Sequence, residues 1–397
     1  MKGAFPLVDQ IFLADEEGEE ARGLPEDILI LHLIATGLLQ VIERVKQEHA
    51  LRAPYPHALQ KGWDRLNMYC YQRQQPLVTT LSALLQLCRE PMKKWPLRYE
   101  LAHLDHEDTL LDGQFSTGVC ESLACVSPDV EAELSERHFI DTVFRTCKQA
   151  NRPDAYVALR RLFIQHPVLT ALQFHEQLDL NRSLSLLKNH LKDAYEEAPL
   201  EYLLRDTFYG CPRCGNLLLP PGKTHPFLCE NERCRRDPSI KSARPYPASQ
   251  EVLWLKRELR RFICIPGQAE IWLEQQLLAL GLRVEMWPDF DAYDLRVTFP
   301  SGKYWAIDVK DWAKPFLLAL HVDPIPQDPQ CERAYFAFPH ERGLLQNDYV
   351  RAFRVACNAL FHEGKGRVLI DGHKVRAAFD SDVVADAKRA LAGGTHA

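Results

Sequence analysis

The sequence lacks an excess of positive charge: 48 Lys and Arg face 54 Asp and Glu, a formal balance of -6. Any contact with nucleic acid must therefore come from local basic patches, because the average field repels phosphate. Long apolar runs are missing too. The nearest approach, Ile28–Val41, is interrupted by His32 and falls short of the roughly 20 residues that span a bilayer. No basic start followed by an apolar core and a small-residue cleavage site opens the chain, so a cytoplasmic protein is expected. There is no internal repeat at a solenoid period, which excludes a stacked-repeat architecture. Lys365-Gly366-Arg367 is too short for a phosphate loop and reads as a turn.

A disulfide framework is also absent. Cys70, Cys88, Cys120, Cys125, Cys147, Cys264, Cys331 and Cys357 are scattered through apolar or helical contexts and read as buried free thiols. The other four cysteines are ordered. Cys211 and Cys214 form one pair, Cys229 and Cys234 a second, and fourteen residues separate them. Two such knuckles can close four thiolates tetrahedrally on one zinc, leaving no open position for water. The expected zinc is structural, in a small zinc ribbon over 205–240 that does not need His225 as a ligand. Gly215 follows the first pair, where the knuckle turn favours positive φ, and Leu217–Leu219 reads as a short strand. Arg233, Arg235, Arg236, Lys241 and Arg244, then Lys256, Arg257, Arg260 and Arg261, form a candidate phosphate-tracking face.

A chain of 397 residues suggests two or three domains. With 46% hydrophobic and 26% charged residues, its composition is that of a globular protein and not of a disordered chain. Residues 1–204 read as an all-α interaction or scaffold domain. Ile28, Leu31, Ile34, Leu38, Leu39 and Ile42 recur at helical spacing, as do Phe139, Val143, Leu159 and Leu162. Breaks at Ala53-Pro54-Tyr55-Pro56, Lys94-Trp95-Pro96 and Ser127-Pro128-Asp129 leave room for about seven or eight helices. The acidic run Asp15–Glu20 reads as a solvated face. Residues 241–266 read as a linker and a basic helix, with the polar stretch Arg236–Gln250 as the linker proper.

From 267 onward the periods change in a definite order. A helix through Glu270, Leu273, Leu277 and Leu280 precedes strands Arg283–Trp287, Asp294–Phe299 and Tyr304–Lys310. A helix after Asp311, a strand Ala334–Phe338, a helix Gln346–His362, an apolar strand Arg367–Ile370 and a small terminal helix from Asp380 complete the chain. Within this order Asp308 and Lys310 must share one strand face. If Ser301-Gly302-Lys303 is a three-residue hairpin loop, Asp294 joins that face, opposite Lys310 and diagonal to Asp308; a two- or four-residue loop would reverse the parity. Asp289 and Asp291 stand nearby as alternatives to Asp294.

Close carboxylates need a cation between them, and hard oxygen donors suit magnesium or manganese. Asp294, Asp308 and the Val309 carbonyl are the expected ligands. Glu270 is expected to complete the shell through water or to hold a second ion. Lys310 would orient the attacking water or balance charge in the transition state. Asp311, Trp312 and Lys314 lie just past this strand, where they could touch substrate phosphate or start the next helix.

The arrangement resembles the core of PD-(D/E)xK, restriction-endonuclease-like nucleases. Asp294 matches the family's first aspartate, Asp308-Val309-Lys310 its D/E-x-K tripeptide, and Glu270 its upstream acidic residue. The domain order as a whole is similar to the restriction-endonuclease-related component of prokaryotic PIWI defence islands. The resemblance implies a C-terminal α/β domain with a mixed central sheet, DNA as substrate, and a PIWI-like or helicase partner. Two rivals remain: a catalytically inactive adaptor that binds nucleic acid or protein, and a transcription-related zinc-ribbon protein.

Overall fold

A computed structural model of the chain describes residues 26–48, 53–97, 106–113, 115–125, 129–221, 227–231, 234, 243–312, 315–326, 330–364 and 366–393. The acidic run at 15–20, His225, Ser127-Pro128, Lys314, Lys365 and most of the Arg/Lys run at 233–241 lie outside them. None of the helices among these residues is long and apolar enough to cross a membrane. The chain forms two compact units that divide between Thr142 and Val143.

The first unit is helical, as its periodicity predicts. Helices Glu26–Glu48, His57–Gln72 and Leu81–Arg89 bury Ile30, Leu31, Ile34 and Leu38 against Leu59, Leu66, Leu84 and Cys88. Thr80 and Thr117 cap two of the helices, each accepting an amide three residues on. A two-stranded hairpin, Leu111–Asp112 with Phe115–Ser116, is the one β element described here and was not expected.

Eight α-helices are described before residue 205, but they do not make one domain. The last of them belong to the second unit, because strands Val168–Thr170 and Tyr195–Glu197 both pair with Val252–Leu255, beyond the cysteine cluster. The expected linker is likewise structured: Arg244–Pro247 pairs antiparallel with Thr207–Gly210. Its prolines read as breaks in the sequence. On an edge strand they can be accommodated, since an edge residue need not donate on its outer side.

Within the second unit, helix α1 (Pro153–Gln165) and helix α2 (Ile265–Ala279) precede a five-stranded mixed sheet. Its strands are β1 (Arg283–Met286), β2 (Leu295–Thr298), β3 (Tyr304–Val309), β4 (Arg333–Phe338) and β5 (Val375–Phe379), in the order β1-β2-β3-β4-β5. The first three form an antiparallel meander, and β3, β4 and β5 run parallel. Helices α3 (Pro315–His321) and α4 (Tyr349–His362) cover Phe336 and Phe338 with Leu318, Tyr349 and Phe353. On the opposite face Tyr335 donates to Asp386 of helix α5 (Asp380–Gly393) at 3.0 Å.

One expected strand is absent. Arg367–Ile370 is buried at Val368 and Ile370 but is not a strand, and the fifth strand is Val375–Phe379. Asn358 explains this. Its carboxamide accepts from the Ile370 amide at 2.8 Å and donates to the Ile370 carbonyl at 3.1 Å, satisfying on one side chain what a strand neighbour would otherwise satisfy. Apolar content marks a segment as buried without saying who pairs its backbone.

Candidate active site

The β2–β3 hairpin sets the site. Thr298 pairs with Tyr304 and Leu295 with Ile307; beyond the ladder, Phe299 donates to the Lys303 carbonyl at 2.9 Å. The loop is Pro300-Ser301-Gly302, and Gly302 takes the positive φ of 78° that closes it. It is three residues long, as expected, but starts one residue earlier. Parity is therefore kept and the register moves by two: one step past the ladder Asp294 comes level with Asp308 and not with Lys310.

The structure brings Asp294, Asp308 and Lys310 together. Asp294, 6% exposed, accepts the Val309 amide on Oδ2 at 2.6 Å, while its own carbonyl accepts the Trp287 amide at 2.7 Å. Lys310 Nζ donates to Asp308 Oδ1 at 2.8 Å, and its backbone amide is held by the Ala337 carbonyl. Asp289 turns away to Arg296 on the surface, and Asp291 bonds elsewhere, so neither replaces Asp294 beside Asp308.

Glu270 projects from α2 toward the same centre but is already engaged. Trp287 Nε1 donates to its Oε2 at 2.6 Å, and Arg160 Nη2 lies 3.2 Å from both of its oxygens. Arg160, on α1, also pairs with Asp291, which accepts from Tyr156 OH at 2.9 Å. Sequence reasoning missed Tyr156, Arg160 and Trp287. Arg160 lies 110 residues before Glu270, and no local spacing signals such a pair.

The electrostatics follow from burial and like charge. Burial first, then Glu270 and Asp308, push the Asp294 carboxyl well above the ordinary aspartate range. Burial also raises Glu270, partly offset by Arg160. For Lys310 burial works against the charge, but Asp308 and Asp294 outweigh it and hold the ammonium protonated above the usual lysine value. Two carboxylates level with each other, one of them deeply buried, make a donor set that a hard divalent cation relieves. Asp311 is spoken for by Arg342 at 2.8 Å, and the Trp312 carbonyl accepts from Tyr349, so both serve structure.

A separate centre lies at the cysteines. Cys211, Cys214, Cys229 and Cys234 are buried, form no disulfide, and place all four Sγ atoms within 4.8 Å of one another. Cys214 and Cys229 are 3.5 Å apart, near the roughly 3.8 Å edge of a tetrahedron with zinc–sulfur bonds of about 2.3 Å. Gly215, at φ 76°, donates to the Cys211 carbonyl, and Asn216 Nδ2 points at Cys214 Sγ at 3.6 Å. These four thiols fit a metal ion, and soft sulfur donors suit zinc. Of the basic residues considered for phosphate tracking, Arg260 is unavailable: it is buried against the Trp254 ring at 3.4 Å and paired with Glu230. A third group, His340, Glu341 and Asp380, also gathers three ligand atoms. However, Glu341 pairs with Arg213, and Asp380 accepts the Ser381 amide at the start of α5.

Two family models match the chain. Residues 267–392, which hold the five-stranded sheet, match the model described as REase associating with pPIWI_RE. Residues 30–170 match the model described as pPIWI_RE three-gene island domain Y. These matches are to the restriction-endonuclease-related component of pPIWI defence islands, as the domain order suggested. No curated protein and no solved structure matches the chain.

Proposed function

We propose that the chain is a metal-dependent nuclease that hydrolyses phosphodiester bonds of DNA within a pPIWI defence island. The observation that carries this reading is the placement of Asp294 level with Asp308, with Lys310 bonded to Asp308 at 2.8 Å. The family matches support a nuclease-related defence role, and the reaction and substrate are our reading of the site.

In this reading Asp294, Asp308 and the Val309 carbonyl would hold magnesium or manganese, while Trp287 and Arg160 keep Glu270 engaged beside them. The cation supplies Lewis-acid stabilisation of the scissile phosphate. The rest falls to the chain's own groups. The Val309 amide fixes one oxygen of Asp294, leaving the other for the ion. Lys310, whose ammonium donates to Asp308, orients the attacking water and faces the negative charge that develops on the phosphoryl oxygens. Water attacks phosphorus as the bond to the leaving sugar oxygen breaks; the water gives up a proton to solvent and the leaving oxygen takes one from solvent, so the products are a phosphate monoester and a free hydroxyl. The four cysteines hold a structural zinc, because four thiolates leave no open position. The PIWI protein of the same island, or a helicase with it, is the proposed partner.

The test is a cleavage assay on single- and double-stranded DNA and on RNA with magnesium or manganese, comparing the wild type with Asp308→Ala and Lys310→Ala. Metal-dependent cleavage of DNA that both substitutions abolish is the expected result. Equal activity in the variants rejects the mechanism. No cleavage of any polymer by the protein with its island partners favours the inactive adaptor.

A further inference from the structure

Arg160 is the feature of this centre that the nuclease reading does not use. Its guanidinium is 12% exposed and sits 4.8 Å over the Trp287 ring, with both Glu270 oxygens at 3.2 Å and Asp291 on its other side. Tyr156, one helical turn before it on α1, fixes Asp291 from the same direction. The chain between β1 and β2 that carries Asp291 is itself unusual. Trp287, Asp289, Phe290 and Asp291 all take positive φ, between 47° and 69°, a conformation that non-glycine residues hold only when surrounding contacts enforce it. Trp287 bonding to Glu270, and Arg160 and Tyr156 bonding to Asp291, are such contacts. The guanidinium is a built part of the centre, stacked, ion-paired and buried.

The charge count gives this placement a consequence. Glu270, Asp291 and Asp308 each lie close enough to Asp294 to interact with it, and the fixed cations beside them are Arg160 and Lys310. With the four carboxylates ionised, as the ligands of a cation are, four negative charges against two positive leave two, which one divalent ion neutralises. The two halves of the centre differ. At Asp294 and Asp308 one oxygen of each carboxylate is committed, to the Val309 amide and to Lys310, and the other is open for a ligand. At Glu270 and Asp291, where a second ion would need its donors, the guanidinium lies 3.2 Å from both Glu270 oxygens and bonds Asp291 Oδ2, so a fixed cation already pairs with both carboxylates.

Resting on the nuclease reading above, we infer that Arg160 stands in the place of a second metal ion, so that the centre takes one divalent cation, at Asp294 and Asp308. Arg160 is thus a positioning residue supplied by a helix more than 100 residues before the acidic tripeptide. It acts by holding Glu270 and Asp291 away from metal and by excluding a second charge from their side. A guanidinium paired with two carboxylates and lying over an indole is costly to expel, since its removal leaves Glu270 and Asp291 without a cation.

The experiment is manganese binding to the full-length, zinc-loaded chain, followed by the loss of the free-ion electron paramagnetic resonance signal. Ions at this centre are counted as those lost when Glu270→Gln and Asp308→Asn are introduced together in each background. The wild type is expected to bind one. Arg160→Gln is expected to bind two, Arg160→Lys one, and Arg160→Gln combined with Asp291→Asn one again, because that pair restores the net charge. Two ions in the wild type overturn the proposal whether or not any variant folds, and a single ion in folded Arg160→Gln overturns it as well. No manganese lost on Asp308→Asn in the wild type rejects the nuclease reading itself, which separates the two failures.

Discussion

The Val309 amide donates to Asp294 Oδ2 at 2.6 Å, so the first carboxylate of the centre is tied to the strand that carries the second. Asp294 is therefore not free to swing away when Asp308 is charged. The cost of holding them together is built into the hairpin, and it is the kind of cost a bound cation removes.

Asp294→Asn should separate stability from activity. The amide keeps an oxygen for the Val309 N–H while removing a charge that burial, Glu270 and Asp308 all disfavour. Metal-free protein is expected to be more stable than the wild type, since the disfavoured charge is gone. The stabilisation that manganese gives the wild type is expected to vanish, and cleavage with it. Thermal unfolding with and without manganese measures both.

The cysteine centre should behave in the opposite way. One zinc per chain is expected by elemental analysis, and Cys214→Ser or stripping with a strong chelator should lower the unfolding temperature, because zinc binding to thiolates contributes directly to folding. Magnesium should not restore it. A chain that unfolds unchanged after stripping would show that the thiols carry no metal.

Gly215→Ala tests the knuckle turn. The backbone there has φ 76°, and a Cβ would meet Pro167 Cγ at 3.0 Å. A loss of about 1–2 kcal/mol is expected from the left-handed conformation alone, read as a shift in denaturant midpoint. The effect should appear in the zinc-loaded protein, which distinguishes it from loss of the ion.

In the first unit Glu131 pairs with Lys61 and Arg65. Burial would raise its pKa, but the two cations outweigh it and lower the value below the ordinary 4.5. The sign follows: this stabilisation is present above pH 4.5 and is lost as pH falls through the lower folded value. Glu131→Gln should cost about 1 kcal/mol or less at neutral pH, as exposed pairs do, and should flatten the acid limb of the stability curve measured from pH 6 downward.

Whatever depends on local period and short spacing was legible in the residues alone. The helical N-terminal region, the order of elements around Asp294 and Asp308, the common face of Asp308 and Lys310, and the two cysteine pairs all follow from residues a few positions apart, where backbone geometry leaves few choices. Even the hairpin parity was legible, since any odd loop puts Asp294 on the Asp308 side. The exact register was not, because loops of 300–302 and 301–303 share that parity and differ only in which residue of Phe299-Pro300 starts the turn.

Tertiary structure decided what joins distant segments. That Arg160 meets Glu270, that Val168–Thr170 pairs with Val252–Leu255, and that Asn358 takes the backbone bonds of Ile370 are each one contact among many that the same residues could make. Hydrophobic pattern fixes which side of an element is buried. Only the packed chain fixes which partner it is buried against, because that choice is made by shape and by the pairing of buried charges, and neither has a period along the sequence.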